Sequence, residues 1–452
     1  QTAYLIAEVI AIPLTGVLTR VLSLRGVFFV SVALFGAASL GCALSAGFDT
    51  LIAWRVVQGF AGGLLIPLVF TAVFLLFPDR LQGLATTIGG VLAVLAPTVG
   101  PLVGGWITQT WSWHWLFLVN VAPAVVVAAA TLWLLPRDPS DPGHARTIDV
   151  LSLTLMAVAL ASLEIALKQA PDEGWASGLV LGLLALSAAC AAGFVRRTLS
   201  RGRPLVRLAL FADRDFAVAC WLSFTLGAGL YGSVYLMPVF LGFVRGHGPL
   251  EIGTVMLVTG VAQLVSAPVA VALERRFDAR LLSACGFALF GVGLAMSAFE
   301  TPRTDFAGMF WPQVVRGSAI MLCLLPPTRL ALGRLPPEQV ADGSGLFNLM
   351  RNLGGAIGIA LADTVIYGRA AGHAAALGHK LMEGSRETAA FVGLPLKFFH
   401  DKPLQNVDAA AMDFVRPLVE KAGTVIAVNE AWALLAGFML LGLLALPLAR
   451  RR

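Results

Sequence analysis

Charge is what this chain has least of. Only 13% of its 452 residues are Asp, Glu, Lys or Arg, about half of the roughly 25% with which a soluble domain wets its surface. That shortage excludes a water-exposed globular chain of this length. Cysteine is scarce too. Cys42, Cys190, Cys220, Cys285 and Cys323 all fall in apolar segments, odd in number and without paired spacing or histidine neighbours. A disulfide framework and a zinc or iron–sulfur site are therefore excluded, and the cysteines read as small hydrophobes packed between helices. The six histidines offer no proton relay: His114 and His247 lie at the edges of apolar runs and the others in connections. Without a metal-spaced His/Cys cluster, a Gly-rich phosphate loop or a Ser/His/Asp set, an enzyme is not expected, nor a cofactor or metal.

What is present is apolar: 58% of residues are hydrophobic and the mean hydropathy is +0.83. Continuous apolar runs, each long enough to cross a roughly 30 Å hydrocarbon core as a helix, follow one another along the chain. Because the runs do not alternate, they argue for helices rather than a barrel. Thirteen spans are expected, at 3–19, 26–47, 51–77, 83–109, 114–135, 149–168, 175–195, 215–244, 250–272, 281–299, 306–328, 340–367 and 425–449. The fold class is an all-α polytopic membrane protein.

The net charge of +6 does not point to nucleic acid, because the basic residues are sorted by side. Connections on one face carry nineteen arginines, among them Arg20, Arg25, Arg80, Arg197, Arg201, Arg207, Arg275 and Arg280. Short connections on the other face carry only Lys168, Arg245 and Arg303. This bias puts the first residue outside and the last in the cytoplasm. Since the chain begins with Gln1, a further helix is expected ahead of it, making thirteen of an original fourteen.

An internal repeat is visible. Pro13, Leu18, Arg20 and Arg25 recur as Pro268, Leu273, Arg275 and Arg280, and Arg55-Val56-Val57-Gln58-Gly59 matches Gln313-Val314-Val315-Arg316-Gly317 at nearly the same offset. Two parallel halves suit a transporter that rocks about a midplane site. The expected organisation is a first half at 1–135, two extra helices with a basic loop at 136–214, and a second half at 215–452 with an outer segment at 368–424.

A charge inside a membrane helix costs roughly 2.5–3.5 kcal/mol on insertion scales, so each one marks a candidate site. Arg55, Arg316 and Arg351 are such cations. Gln58 and Gly59 extend the Arg55 face, while Asn348 and Asn352 flank Arg351. Exchange of protons across the membrane needs a carboxylate in low dielectric. Glu8, about two turns into the first span, is the first candidate and Asp363 the second. Glu164 and Glu430 read as solvated or capping acids. The run from Ala96 to Trp106, with Gly100, Pro101, Gly104 and Gly105, suits a bent or closely packed helix, and Gly354, Gly355 and Gly358 suggest a second such face.

That Gly-Pro-x-x-Gly-Gly core resembles the antiporter motif of proton-coupled drug exporters in the major facilitator superfamily, and Arg55 to Gly59 resembles its fourth-helix motif. The whole chain is similar to the fourteen-helix EmrB/QacA group. The similarity is carried also by Ile12-Pro13-Leu14-Thr15-Gly16, Trp115-Leu116-Phe117-Leu118-Val119-Asn120-Val121, Ile148-Asp149, Trp311-Pro312-Gln313, Leu335-Pro336-Pro337-Glu338 and Asn429-Glu430. The resemblance implies a 6 + 2 + 6 helix layout, proton antiport and small hydrophobic or amphipathic substrates. It also implies residence in a bacterial inner membrane, with a periplasmic adaptor and an outer-membrane channel as partners. It gives Arg55 a proton-coupling role and Gly100, Pro101, Gly104 and Gly105 the antiporter-motif role. Thr87 and Ala96 stand where the motif has glycine, and Ser23 and Leu24 where the inner-loop motif has glycine and arginine. An uptake permease on the same scaffold is the alternative. A membrane enzyme is disfavoured for want of a catalytic set, and a receptor because the largest outer segment is only 368–424.

Overall fold

A computed structural model describes residues 2–137, 140–141, 143, 148–202, 204–394 and 409–449, except the side chains of 93–95, 97–98, 101 and 409–414. The described residues are helical throughout, without a strand. The first half comprises α1 (Thr2–Ala11), α2 (Thr15–Ala43), α3 (Phe48–Leu76), α4 (Asp79–Thr110), α5 (Trp115–Leu118) and α6 (Val121–Leu134). Next come α7 (Val150–Glu173) and α8 (Gly178–Leu199). The chain continues with α9 (Arg214–Val239), α10 (Pro249–Glu274), α11 (Ala279–Ser297), α12 (Phe306–Leu332), α13 (Pro337–Met382), α14 (Arg386–Val392) and α15 (Ala409–Ala445). Eleven helical stretches among the described residues are long and apolar enough to cross a membrane.

The expected spans map onto these helices with three differences. Between the first and second spans the chain does not open into a loop. It runs as near-continuous helix from Thr2 to Ala43, turned sharply at Ser23 (φ 68°, ψ 163°). The 114–135 span is broken into α5 and α6 at Val119–Asn120; Pro123 has no N–H to offer the Val119 carbonyl, so the ladder loses a bond at that break. The outer segment is not a loop at its start. Helix α13 carries on to Met382, about 69 Å at 1.5 Å per residue, and so extends past the expected span end at 367. There it meets α14 and α15 in a small apolar cluster of Leu377, Leu381, Ala389, Val392, Val419 and Ala422. Residues 395–408 of the segment lie outside the described residues.

Lipid tails are as apolar as leucine, so close packing rather than hydrophobicity joins these helices. Helix α4 lies along α10, where Gly253 abuts the backbone of Leu102 and Gly105 that of Pro249 and Leu250. Helices α9 and α13 cross through reciprocal glycines: Gly227 faces the Arg351 carbonyl, and Gly354 and Gly358 face those of Phe224 and Ala228. Helix α7 packs against α1 and α13, and α8 packs against α7. Arg197, near the end of α8, donates to Asp149, the N-cap residue of α7, at 2.5 Å, and holds that carboxyl well below the usual carboxylate range.

Candidate functional site

The site begins with a glycine pair. On α3, Gly59 and Gly63 lie one turn apart, and a Cβ on either would overlap a backbone carbonyl of α1, that of Tyr4 or of Glu8 respectively. With no side chain in the way, α1 lies directly on α3 and delivers Tyr4 and Glu8 beside Arg55. The Arg55 guanidinium sits 4.2 Å from the centre of the Tyr4 ring and donates to Gln58 Oε1 at 2.6 Å. Gln58 passes the bond on to Ser39 of α2 at 2.7 Å.

From the other side α13 brings Arg351, which is buried and donates to Asn348 one turn earlier. Tyr231 of α9 donates at 3.1 Å to Asn352, the residue after Arg351. Glu8 is 9% exposed and lies within electrostatic reach of Arg55, Arg351 and Glu164. One buried acid thus lies within reach of the fields of two cations, drawn from α3 and α13, and of a second acid from α7, without a direct ion pair to any of them among the described residues. Its charged form is attracted by the arginines and opposed by Glu164 and by desolvation.

Glu8, Arg55, Gln58, Gly59, Asn348, Arg351 and Asn352 therefore come together. Asp363 does not join them: it accepts from Tyr235 at 2.5 Å, further along α13. Arg316 belongs to a separate cluster, 5.0 Å from the Trp432 ring centre and facing the buried Glu300. Gly105 is tightly packed at the α4–α10 contact, whereas Gly104 has only a side-chain neighbour and Gly100 has open space around it. The side chain of Pro101 lies outside the described residues. Glu164 is half-buried, and one of its carboxylate oxygens is buried without a hydrogen bond among the described residues. Glu430 accepts from Arg369 at 3.0 Å and lies 3.1 Å from His373.

Sequence reasoning passed over Tyr4, Tyr231, Glu300 and Asp342. A usable signal was scarcity. The chain has four tyrosines, and three of them, Tyr4, Tyr231 and Tyr235, hold charged or amide groups of these clusters.

The repeat carries into three dimensions. A Cβ on Gly317 would overlap the Thr259 carbonyl as one on Gly59 would overlap that of Tyr4. The two contacts are related by the offsets of the sequence repeat. At equivalent positions the polar residues are transposed: Arg55 and Gln58 become Gln313 and Arg316, and Glu8 becomes the buried Gln263.

On the arginine-rich face, Asp342 of α13 is buried and receives Arg20 at 2.5 Å and Arg207 at 3.2 Å. Gly16 makes room for it, because a Cβ there would overlap the Asp342 carboxylate. Ser344 donates to the Pro67 carbonyl of α3 at 2.7 Å. Helices α2 and α3 are thereby fastened to α13.

Residues 1–359 match the Major Facilitator Superfamily family model. The chain belongs to the major facilitator superfamily. It is 38% identical over 367 residues to the colistin resistance protein EmrB of Acinetobacter baumannii, covering 80% of this chain and 71% of that protein. It is 30% identical over 442 residues to the multidrug export protein EmrB of Escherichia coli K12, covering 97% and 85% respectively. Among solved structures it is similar to the human organic anion transporter MFSD10 (TETRAN), with a TM-score of 0.62 at 14% identity. That match covers 98% of this chain and 82% of the other. It is likewise similar to the proton:xylose symporter XylE, with a TM-score of 0.55 at 14% identity, covering 97% and 84%. At such identities the structural matches speak for the fold. The chain is a multi-pass membrane transporter and not an enzyme.

Proposed function

We propose that this transporter exports small hydrophobic or amphipathic compounds in exchange for protons, by alternating access, across the inner membrane of a bacterium. The observation that carries the reading is Glu8, buried and within electrostatic reach of both Arg55 and Arg351. Protonated, Glu8 makes little demand on the arginines. Ionised, it needs them, so loading and unloading a proton changes the force holding α1 and α3 to α13. The two halves, 1–135 and 215–452, rock about this midplane cluster, with Arg55 coupling proton to substrate and Gln58, Gly59, Asn348 and Asn352 lining or shaping the path. Asp363 serves as an outer proton relay through Tyr235. The glycines of α4 keep the α4–α10 seam tight against leak. Multidrug export by the EmrB relatives supports the substrate class. The protruding ends of α13 and α15, joined by α14, offer a periplasmic adaptor its docking face, and through it an outer-membrane channel.

The test is drug-triggered proton release from acidified inverted vesicles, followed with an interior pH dye. Wild type releases protons on addition of a lipophilic drug, while Glu8→Gln and Arg55→Ala lose the response. Full release in Glu8→Gln would remove Glu8 from the coupling role.

A further inference from the structure

On the arginine-rich face, a cavity of about 510 Å³ opens between α2, the end of α8 and the connection leading to α9. Arg20, Arg201 and Arg207 line it, with Leu199 and Leu208 on its apolar side. The charges there do not balance. Arg20 and Arg207 share Asp342, and Arg197 and Arg201 share Asp149, so four guanidiniums meet two carboxylates among the described residues. The weakest of the four contacts is that of Arg201, 3.6 Å from Asp149, which among the described residues leaves most of its donor fork uncommitted. A second observation is independent of charge. Thr198 lines the same cavity at only 3% exposure, and its hydroxyl makes no hydrogen bond among the described residues. A buried orphan hydroxyl calls for a partner.

We propose that this cavity binds a phosphate group, held by the forks of Arg201 and Arg207 and by the Thr198 hydroxyl. Arginine forks match the tetrahedral oxygens of phosphate in paired hydrogen bonds, and the excess positive charge supplies the attraction. The apolar side fits the glycerol and first acyl carbons of an anionic phospholipid. A free phosphate uses the polar side alone. Either ligand competes with Asp342 for Arg207, the second cation on the carboxylate that Arg20 of α2 also holds. The site is separate from the Glu8 cluster, and its test does not depend on proton coupling.

The experiment is a thermal-unfolding titration of the purified protein in neutral detergent. One arm adds inorganic phosphate, a second a short-chain phosphatidylglycerol, and a third the matching phosphatidylcholine as control. Saturable stabilisation by phosphatidylglycerol alone identifies a lipid headgroup, and stabilisation by both phosphate and phosphatidylglycerol a phosphate site proper. In Arg201→Gln the half-saturating concentration rises about tenfold, as expected for losing one charged hydrogen-bonding partner. Arg201→Lys, which keeps the charge, recovers part of the affinity. Arg196→Gln, an exposed arginine that does not line the cavity, leaves binding unchanged. No saturable shift with either probe, wild-type affinity in Arg201→Gln, or an equal loss in Arg196→Gln would overturn the proposal.

Discussion

Gly59 of α3 lies directly against the backbone carbonyl of Tyr4 in α1, in the space that a Cβ would occupy. The contact decides where Glu8, one turn beyond Tyr4, is held relative to Arg55. A residue with no side chain therefore sets the geometry of the charged ones.

Gly59→Ala forces α1 away from α3. Overpacking of this kind costs about 1–3 kcal/mol, and the shift also separates Tyr4 and Glu8 from Arg55. The expected outcome is a lower unfolding temperature together with loss of drug-triggered proton release. Gly437→Ala is the control: it sits in α15 with open space around it and should not destabilise, since alanine favours helix over glycine by about 1 kcal/mol.

Ser23 adopts φ 68° and ψ 163°, a conformation that costs a residue with a Cβ roughly 1–3 kcal/mol. Its hydroxyl returns only one 3.3 Å bond from the Gly26 N–H. Ser23→Gly removes the strain at the expense of that bond and some added freedom in the unfolded chain. A net stabilisation of about 1 kcal/mol is expected, read as a higher unfolding temperature in detergent. An unchanged or lower temperature would mean that the turn is not strained.

Asp342→Asn strips the charge from a buried acid that two arginines share. Losing one partner of a buried pair typically costs about 3–5 kcal/mol, and here Arg20 and Arg207 would be left facing each other. The fastening between α2 and α13 should loosen. In a Cys285→Ser background, a cysteine placed by Ser344→Cys, fully buried in the parent protein, should react with a small maleimide several-fold faster once Asp342→Asn is added. Equal rates would show that the contact does not hold this face closed.

Asp305, at the N-terminus of α12, accepts from Arg245 at 2.7 Å and lies 3.0 Å from His247. The Arg245 bond, with smaller help from His247 and the Phe306 N–H, holds its carboxyl down at about 2. A depressed value means that the stabilisation is complete above the unfolded carboxylate range near pH 4 and is lost as pH falls toward 2. Between pH 5 and 2.5 the wild-type unfolding temperature should therefore fall more steeply than that of Asp305→Asn. Parallel curves would exclude the pair as an acid-sensitive contact.

The sequence by itself determined the class of molecule and the identity of its costly residues. Scarce charge and repeated apolar runs leave helices in a membrane as the one way to satisfy the backbone. A charge within such a run is conspicuous because it is expensive, so Glu8, Arg55, Arg316 and Arg351 stand out from the order of residues alone. The repeat was legible for the same reason, in its Gly-Pro-Arg positions. Only the tertiary structure decided which of those charges meet. Arg316 and Asp363 look as suggestive in sequence as Arg351, yet helix crossings carry them to other partners. Asp342 was obscured because an acid near a helix end is usually wetted, and only packing against α2 shows it buried. Periodicity gives the face of each helix. Which face meets which depends on where backbones can touch, and that is set by single glycines whose neighbours lie on other helices, more than fifty residues away in the chain.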